Sequence, residues 1–222
     1  MTHFVLLHGG GGPGSVAGFA ERLRAGGHTV SAPVHPGFSG TPNPEALATP
    51  GELADHHLRT LDGDAVTVVG FSLGGWVAAE LATRHDPRVA RLVIVDGVGF
   101  ALDGHPVADV TALTPAELAS RSFHDPEAFQ GAPSPETAAN VREVVRYGGD
   151  MSDPGLRSRL AAIDIPALVV WGESDGMADP VYGRAFADAI PGARFELLAE
   201  AGHMPQLEQP ERLAALITAF AT

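Results

Sequence analysis

The sequence predicts an α/β fold: an open, mostly parallel sheet of about six strands with flanking helices. Two observations carry this prediction. Short β-branched runs alternate with longer stretches of helical periodicity, the rhythm of parallel strands joined by helical crossovers. Several of the runs are apolar throughout instead of alternating, which marks strands covered on both faces. The 222 residues suit one domain with a substantial core, and no linker-like stretch divides them, so residues 1–222 are read as a single domain.

The first strand is expected at Phe4–Leu7, ending in glycines, and the second at His28–Ala32, closed by Pro33. Ala65–Val69, Leu92–Val95, Ala167–Trp171 and Arg194–Leu198 follow as strands three to six. Between the first two, residues 15–25 place Val16, Phe19, Ala20 and Leu23 at helical spacing, with Ser15 positioned as an N-cap. Residues 73–85, 181–190 and 210–220 read as helices in the same way. From 97 to 160 no strand is expected. Thr114-Pro115, Asp125-Pro126 and Ser134-Pro135 each open a short helical piece, so this segment reads as a helical insertion between strands four and five.

Composition excludes several classes of function. Fourteen basic residues against 27 acidic ones give a net charge of −13, which leaves no broad basic face for a phosphate backbone or an anionic membrane. The chain has no cysteine, which rules out disulfides, thiolate catalysis and Cys-ligated zinc. Its first residues lack the basic start and cleavage site of a signal peptide, and no apolar run approaches the ~20 residues that span a bilayer. A soluble, cytoplasmic protein with a small-molecule substrate is expected.

Four segments carry chemistry. Gly70-Phe71-Ser72-Leu73-Gly74 follows the third strand and opens a helix. Such a turn lifts a serine to the carboxyl edge of the sheet, and the Leu73 amide at the helix N-terminus can donate to an oxyanion. In a chain with 27 glycines the bare pattern is weak; its place between a strand and a helix gives it weight. His8-Gly9-Gly10-Gly11-Gly12-Pro13-Gly14 follows strand one, where glycines let backbone amides approach a ligand. A nucleotide loop is the rival reading, but Pro13 removes a donor, no Lys-Ser/Thr follows, and no acid ends the second strand. Trp171-Gly172-Glu173-Ser174-Asp175 follows strand five; Asp179-Pro180 reads as the cap of the next helix, whereas Asp175 has no such local employment. Gly202-His203-Met204-Pro205 follows strand six on the same edge.

Together HGGGGPGS, VVGFSLGG, WGESDGMADP and AGHMPQLEQP resemble the α/β-hydrolase family over about residues 4–220, with the look of its small bacterial esterase-like members. The resemblance implies a catalytic triad of Ser72, His203 and Asp175, an oxyanion hole from the Gly10 and Leu73 amides with Gly11 as a substitute, and a lid formed by 97–160. Aromatic residues of that segment suggest a mostly apolar pocket, with Gly11, Phe38, Phe71, Phe100, Phe123 and Met204 as lining candidates. No metal and no organic cofactor is needed for this chemistry.

Three departures from the family stand out. The chain begins at the His-Gly strand, without the usual two strands before it, so the second strand becomes an exposed edge that invites a homodimer. The loop after that strand reads His35-Pro36-Gly37-Phe38 where an acid is common, a structural variation. Asp96 ends strand four and competes with Asp175 for the acid's role; Asp175 lies in the better-matched motif. The other histidines read as structural: His56 and His57 do not face the same way on a helix, His85 sits at a helix end, and His124 lies in a turn of the insertion. Trp76, one helical turn beyond Ser72, reads as core packing. The expected reaction is hydrolysis of a small or medium carboxylic ester through an acyl-enzyme on Ser72. A lactone, thioester or C–C bond hydrolase, a lyase or cofactor-free oxygenase using His203 as base, and a ligand-binding member with incidental turnover are the alternatives.

Overall fold

A computed structural model describes residues 1–129 and 135–222. Six parallel strands form one sheet in the order β2-β1-β3-β4-β5-β6. They are β1 His3–Leu7, β2 Thr29–Ser31, β3 Val66–Phe71, β4 Val89–Val95, β5 Ala167–Gly172 and β6 Arg194–Leu198. All six lie where the apolar runs predict. Strand β4 is longer than its Leu92–Val95 core, and β2 is shorter than expected.

Alternate residues of each buried strand feed two separate cores. Val5, Leu7, Val66, Val68, Ile94, Val169 and Trp171 face α2 (Pro50–Thr60), α3 (Leu73–Ala82) and α7 (Pro180–Asp188). Phe4, Leu6, Val69, Phe71, Val93, Val95 and Val170 face α1 (Gly14–Ala25) and α9 (Pro210–Ala221). This double cover is why the strands read as unbroken apolar runs. Among the described residues strand β2 pairs with β1 alone and is an edge, as expected. The Arg24 guanidinium donates to the Val30 carbonyl there and shortens the free edge.

Helix ends differ from the sequence reading in instructive ways. Helix α1 starts at Gly14, and the Ser15 hydroxyl donates to the Gly12 carbonyl instead of accepting an amide, so Ser15 is not the cap. Helix α3 stops at Ala82, three residues short, and His85 beyond it adopts φ 53° with its ring against Asp164. Asp179 caps α7 as predicted, accepting from the Tyr182 amide.

Between β4 and β5 lie α4 (Pro115–Ser122), α5 (Pro135–Gly148) and α6 (Leu156–Leu160), and the described residues there hold no strand beyond one isolated bridge, Gly99 to Ser152. Thr114 opens α4 with a reciprocal capping box to Glu117. Ser134, expected to open the next helix, is outside the described residues. Short α8 (Pro205–Glu208) precedes α9. No helix among the described residues is long and apolar enough to cross a membrane.

The β3–α3 turn is tight because α3 packs directly on β1. A Cβ on Gly74 would stand 2.0 Å from the Leu7 carbonyl oxygen, a backbone atom that cannot move aside. Gly74→Ala is therefore expected to destabilise the chain by at least about 4 kcal/mol or abolish folding. Gly18, exposed in α1 with open space around it, gives the opposite result: Gly18→Ala is expected to stabilise by about 0.5–1 kcal/mol. Urea denaturation midpoints of the two variants check both signs.

Candidate active site

Ser72 occupies the turn between β3 and α3 at φ 53° and ψ −119°, a left-handed backbone rare for a residue with a side chain. Its amide donates to the Val95 carbonyl and its own carbonyl accepts the Gly75 amide, so both sides of the strained residue are pinned. Across from it, the glycine loop after β1 runs so close that a Cβ on Gly9 would stand 2.7 Å from the Ser72 Cβ. Gly10 follows Gly9 in that loop, and Leu73 follows Ser72 as the first residue of α3. Among the described residues neither of their amides donates within the protein, which leaves both free for a ligand oxygen.

His203 lies in the loop between β6 and α8. Its Nε2 is 2.9 Å from Ser72 Oγ and its Nδ1 is 2.8 Å from Asp175 Oδ2. The structure thus brings Ser72, His203 and Asp175 into one hydrogen-bonded chain, with Asp175 buried and His203 nearly so. Asp175 also has the local role that the sequence seemed to deny it: its Oδ1 accepts from the Met177 and Ala178 amides at 2.8 and 3.1 Å. Two oxygens thus serve two purposes, one bracing the loop and one facing the imidazole. Asp96 is displaced from the histidine's own hydrogen bonds and instead accepts the Gly172 amide at 2.8 Å.

Two residues missed in the sequence hold this arrangement. Glu208 accepts the Gly202 amide at 2.6 Å and, with its other oxygen, the His124 amide at 2.7 Å. It therefore ties the loop of His203 to the segment between β4 and β5. Arg121, on α4, exchanges hydrogen bonds with Gly176 beside Asp175. The acid in AGHMPQLEQP was the available signal for Glu208. Nothing in the sequence marks Arg121.

The candidate pocket residues divide. Gly11 and Met204 lie together, the Met204 methyl 3.5 Å from where a Gly11 Cβ would sit, and Val144 of α5 crowds Gly10 in the same way. Phe123 stacks on Phe129, and its backbone abuts Gly202. The other three are corrected to core positions. Phe71 points to the opposite face of the sheet and packs edge-on against Phe19. Phe100 stacks on Tyr182 and meets Phe186 at a tilt, and Phe38 is enclosed by His8, His35 and Tyr147. Trp76 is buried, with Gly99 against its indole.

One carboxyl oxygen each from Asp96 and Asp175 and one nitrogen of His203 lie within 4.8 Å of one another, a spacing compatible with a metal ion. Both His203 nitrogens are already engaged, however, so the donor set offers a metal no free imidazole lone pair.

Beneath the glycine loop lies a buried chain of His8, His35 and His57. Its hydrogen bonds fix the tautomers. Gly9 O can only accept, so His8 Nδ1 carries the proton and Nε2 accepts the His35 amide. His35 Nε2 donates to His8 O, and its Nδ1 accepts from His57 Nε2 at 2.7 Å. Burial lowers the His8 pKa to about 4 and that of His57 to about 3, and holds His35 well below the usual imidazole range.

The comparisons with known proteins agree with this geometry. An open parallel sheet with a serine turn, a histidine loop and an acid loop at one edge defines the class of α/β hydrolases. The alpha/beta hydrolase family profile matches residues 4–216, and the chain belongs to that family. It is 30% identical over 244 residues to a pimeloyl-[acyl-carrier protein] methyl ester esterase of Aromatoleum aromaticum, covering 96% of this chain and 95% of that one. It is 31% identical to the dihydrolipoyllysine-residue acetyltransferase component of the acetoin cleaving system of Cupriavidus necator over 96% of this chain, and spans only 62% of that relative's length. Among solved structures, an N-acyl homoserine lactone degrading enzyme superposes with a TM-score of 0.79 at 23% identity, over 99% of this chain and 93% of that one.

The lowered histidines give stability a pH dependence. Below pH ~6.5 the unfolded chain takes up protons that the folded chain refuses, so the stabilisation is fully present above that value and is lost as pH falls toward about 4. His8 alone accounts for on the order of 3 kcal/mol over that window. Urea midpoints are expected to fall steeply from pH 6.5 to 4, and His57→Gln, which keeps a donor for His35, is expected to flatten the slope. A flat wild-type profile would contradict the neutral chain.

Proposed function

We propose that the protein is a serine hydrolase that cleaves small or medium carboxylic esters through an acyl-enzyme on Ser72. The observation that carries this reading is the chain of hydrogen bonds from Ser72 through His203 to Asp175, at 2.9 and 2.8 Å. His203 takes the Ser72 proton as the oxygen attacks the acyl carbon, and Asp175 holds the imidazole in the tautomer that can accept it. The Gly10 and Leu73 amides receive the oxyanion, each worth on the order of 3 kcal/mol in the transition state. His203 then returns the proton to the departing alkoxide. A water, deprotonated by the same imidazole, releases the acid and restores Ser72.

The side chains met along the glycine loop beside Ser72 include Val144 over Gly10 and the Met204 methyl beside Gly11, both apolar. That lining favours an uncharged acyl group. The segment 97–160 acts as a lid in this reading, because α5 contributes Val144 at Gly10 and the turn at His124 is fastened to Glu208. The esterase of Aromatoleum aromaticum, similar along nearly the whole chain, supports an ester over the lyase and oxygenase alternatives.

A fluorophosphonate probe is expected to add once per chain, as read by intact mass, and Ser72→Ala is expected to lose both the adduct and turnover of p-nitrophenyl butyrate. No adduct and no turnover in the wild type would refute the hydrolase reading; adduct with negligible turnover would favour a binding protein. Asp175→Asn is expected to lower kcat by about 10³- to 10⁴-fold, because the amide selects the wrong imidazole tautomer.

A further inference from the structure

Asp96 ends β4 fully buried, at φ 47°, a left-handed backbone that a residue with a side chain rarely adopts. The proposed mechanism gives it no task. Its amide donates to the Val170 carbonyl and its Oδ1 accepts the Gly172 amide, so the residue is clamped to the end of β5 from both ends. Its Oδ2 meets no N–H or O–H donor among the described residues. One of its carboxyl oxygens lies within 4.8 Å of both Asp175 and His203.

The two carboxyl groups are furnished differently. Asp175 receives two amides on Oδ1 and the imidazole on Oδ2, the surroundings of an ionised group that only accepts. Asp96 receives one amide on Oδ1 and nothing on Oδ2, the surroundings of a carboxylic acid whose second oxygen bears a proton. A buried ionised oxygen without a donor is strongly disfavoured, and two ionised carboxyls side by side repel. We propose that Asp96 is a positioning residue, held as a neutral acid that donates its Oδ2 proton to the Asp175 carboxylate, so that the acid end of the triad is a pair of carboxyls holding one proton.

The surrounding charges agree. Burial raises the Asp96 pKa well above the usual carboxylate range, the charge of Asp175 raises it further, and Glu208 on α8 adds to the same effect. The Gly172 amide opposes them. His203, from the loop after β6, is the one titratable base in the cluster, and its Nδ1 is committed to Asp175. The shared proton orients Asp175 from behind. It also withdraws charge from Asp175, which limits how strongly that carboxylate holds a proton on His203. This role presupposes the Ser72–His203–Asp175 reading.

Infrared spectroscopy of the intact protein at pH 7 tests the proton directly and needs no turnover. The wild type is expected to show the carbonyl stretch of a buried protonated carboxyl that shifts in D2O, and Asp96→Asn is expected to lose it. The asparagine amide can still accept from Gly172 and donate to Asp175. Turnover of p-nitrophenyl butyrate by Asp96→Asn is therefore expected within about 3-fold of wild type, with the acid limb of kcat/KM unmoved. Asp96→Val removes the donor and is expected to raise that limb and lower kcat with little change in KM. Absence of the protonated band, or a fall of the acid limb by about a unit or more in Asp96→Asn, would show an ionised Asp96 and overturn the proposal. A protonated band in a chain without Ser72-dependent turnover would instead refute the esterase reading and leave the proton on Asp96 standing.

Discussion

Parallel strands put all their carboxyl ends on one edge, and that constraint organises the molecule. Strands β1, β3, β4, β5 and β6 release the glycine loop, Ser72, Asp96, Asp175 and His203 onto the same rim. Ser72 and Asp175 leave strands two places apart, and the imidazole of His203 spans the gap with one nitrogen to each. The rim is crowded with backbone, as the contacts around Gly74 and Gly9 show, so the polar atoms lie at hydrogen-bonding distance before any substrate arrives. The proposed acyl transfer draws on such preorganisation, because the cost of arranging dipoles is met during folding.

The ground beneath the rim is polar and, by its hydrogen bonding, neutral. Three histidines under the glycine loop are joined by hydrogen bonds that hold each neutral ring in one tautomer. At the end of β4, Asp96 presents a buried carboxyl with one donor too few for an anion. Both features secure backbone next to the reactive groups without placing a second full charge there. The pH dependence of stability then comes from buried histidines that never touch a substrate.

Much of this was legible in the sequence. Apolar runs marked the inner strands β1, β3, β4 and β5, since burial on both faces leaves no polar alternation to confuse the reading, and the partly exposed edges β2 and β6 fell into the same strand–helix rhythm. Glycine-flanked Ser72 and the loops of Asp175 and His203 were legible because each follows a strand directly. What failed depended on direction. Phe71, a candidate for the pocket, shares strand parity with Val69, but parity alone does not say which face meets α1. Ser15 has the right residue type for a cap, yet its hydroxyl donates. The pairing of His35 with His57 across 22 residues is a tertiary fact with no local signature, whereas the motif around Asp175 already favoured it over Asp96.

A covalent acyl group on Ser72 forgets the leaving group that delivered it, and product partitioning reads this out. Two butyrate esters with different leaving groups are hydrolysed in buffer containing methanol, and the ratio of methyl butyrate to butyric acid is measured. A common acyl-enzyme predicts the same ratio for both esters, with all enzymatic product lost in Ser72→Ala. A ratio that changes with the leaving group, or one that survives the loss of the Ser72 hydroxyl, would contradict it.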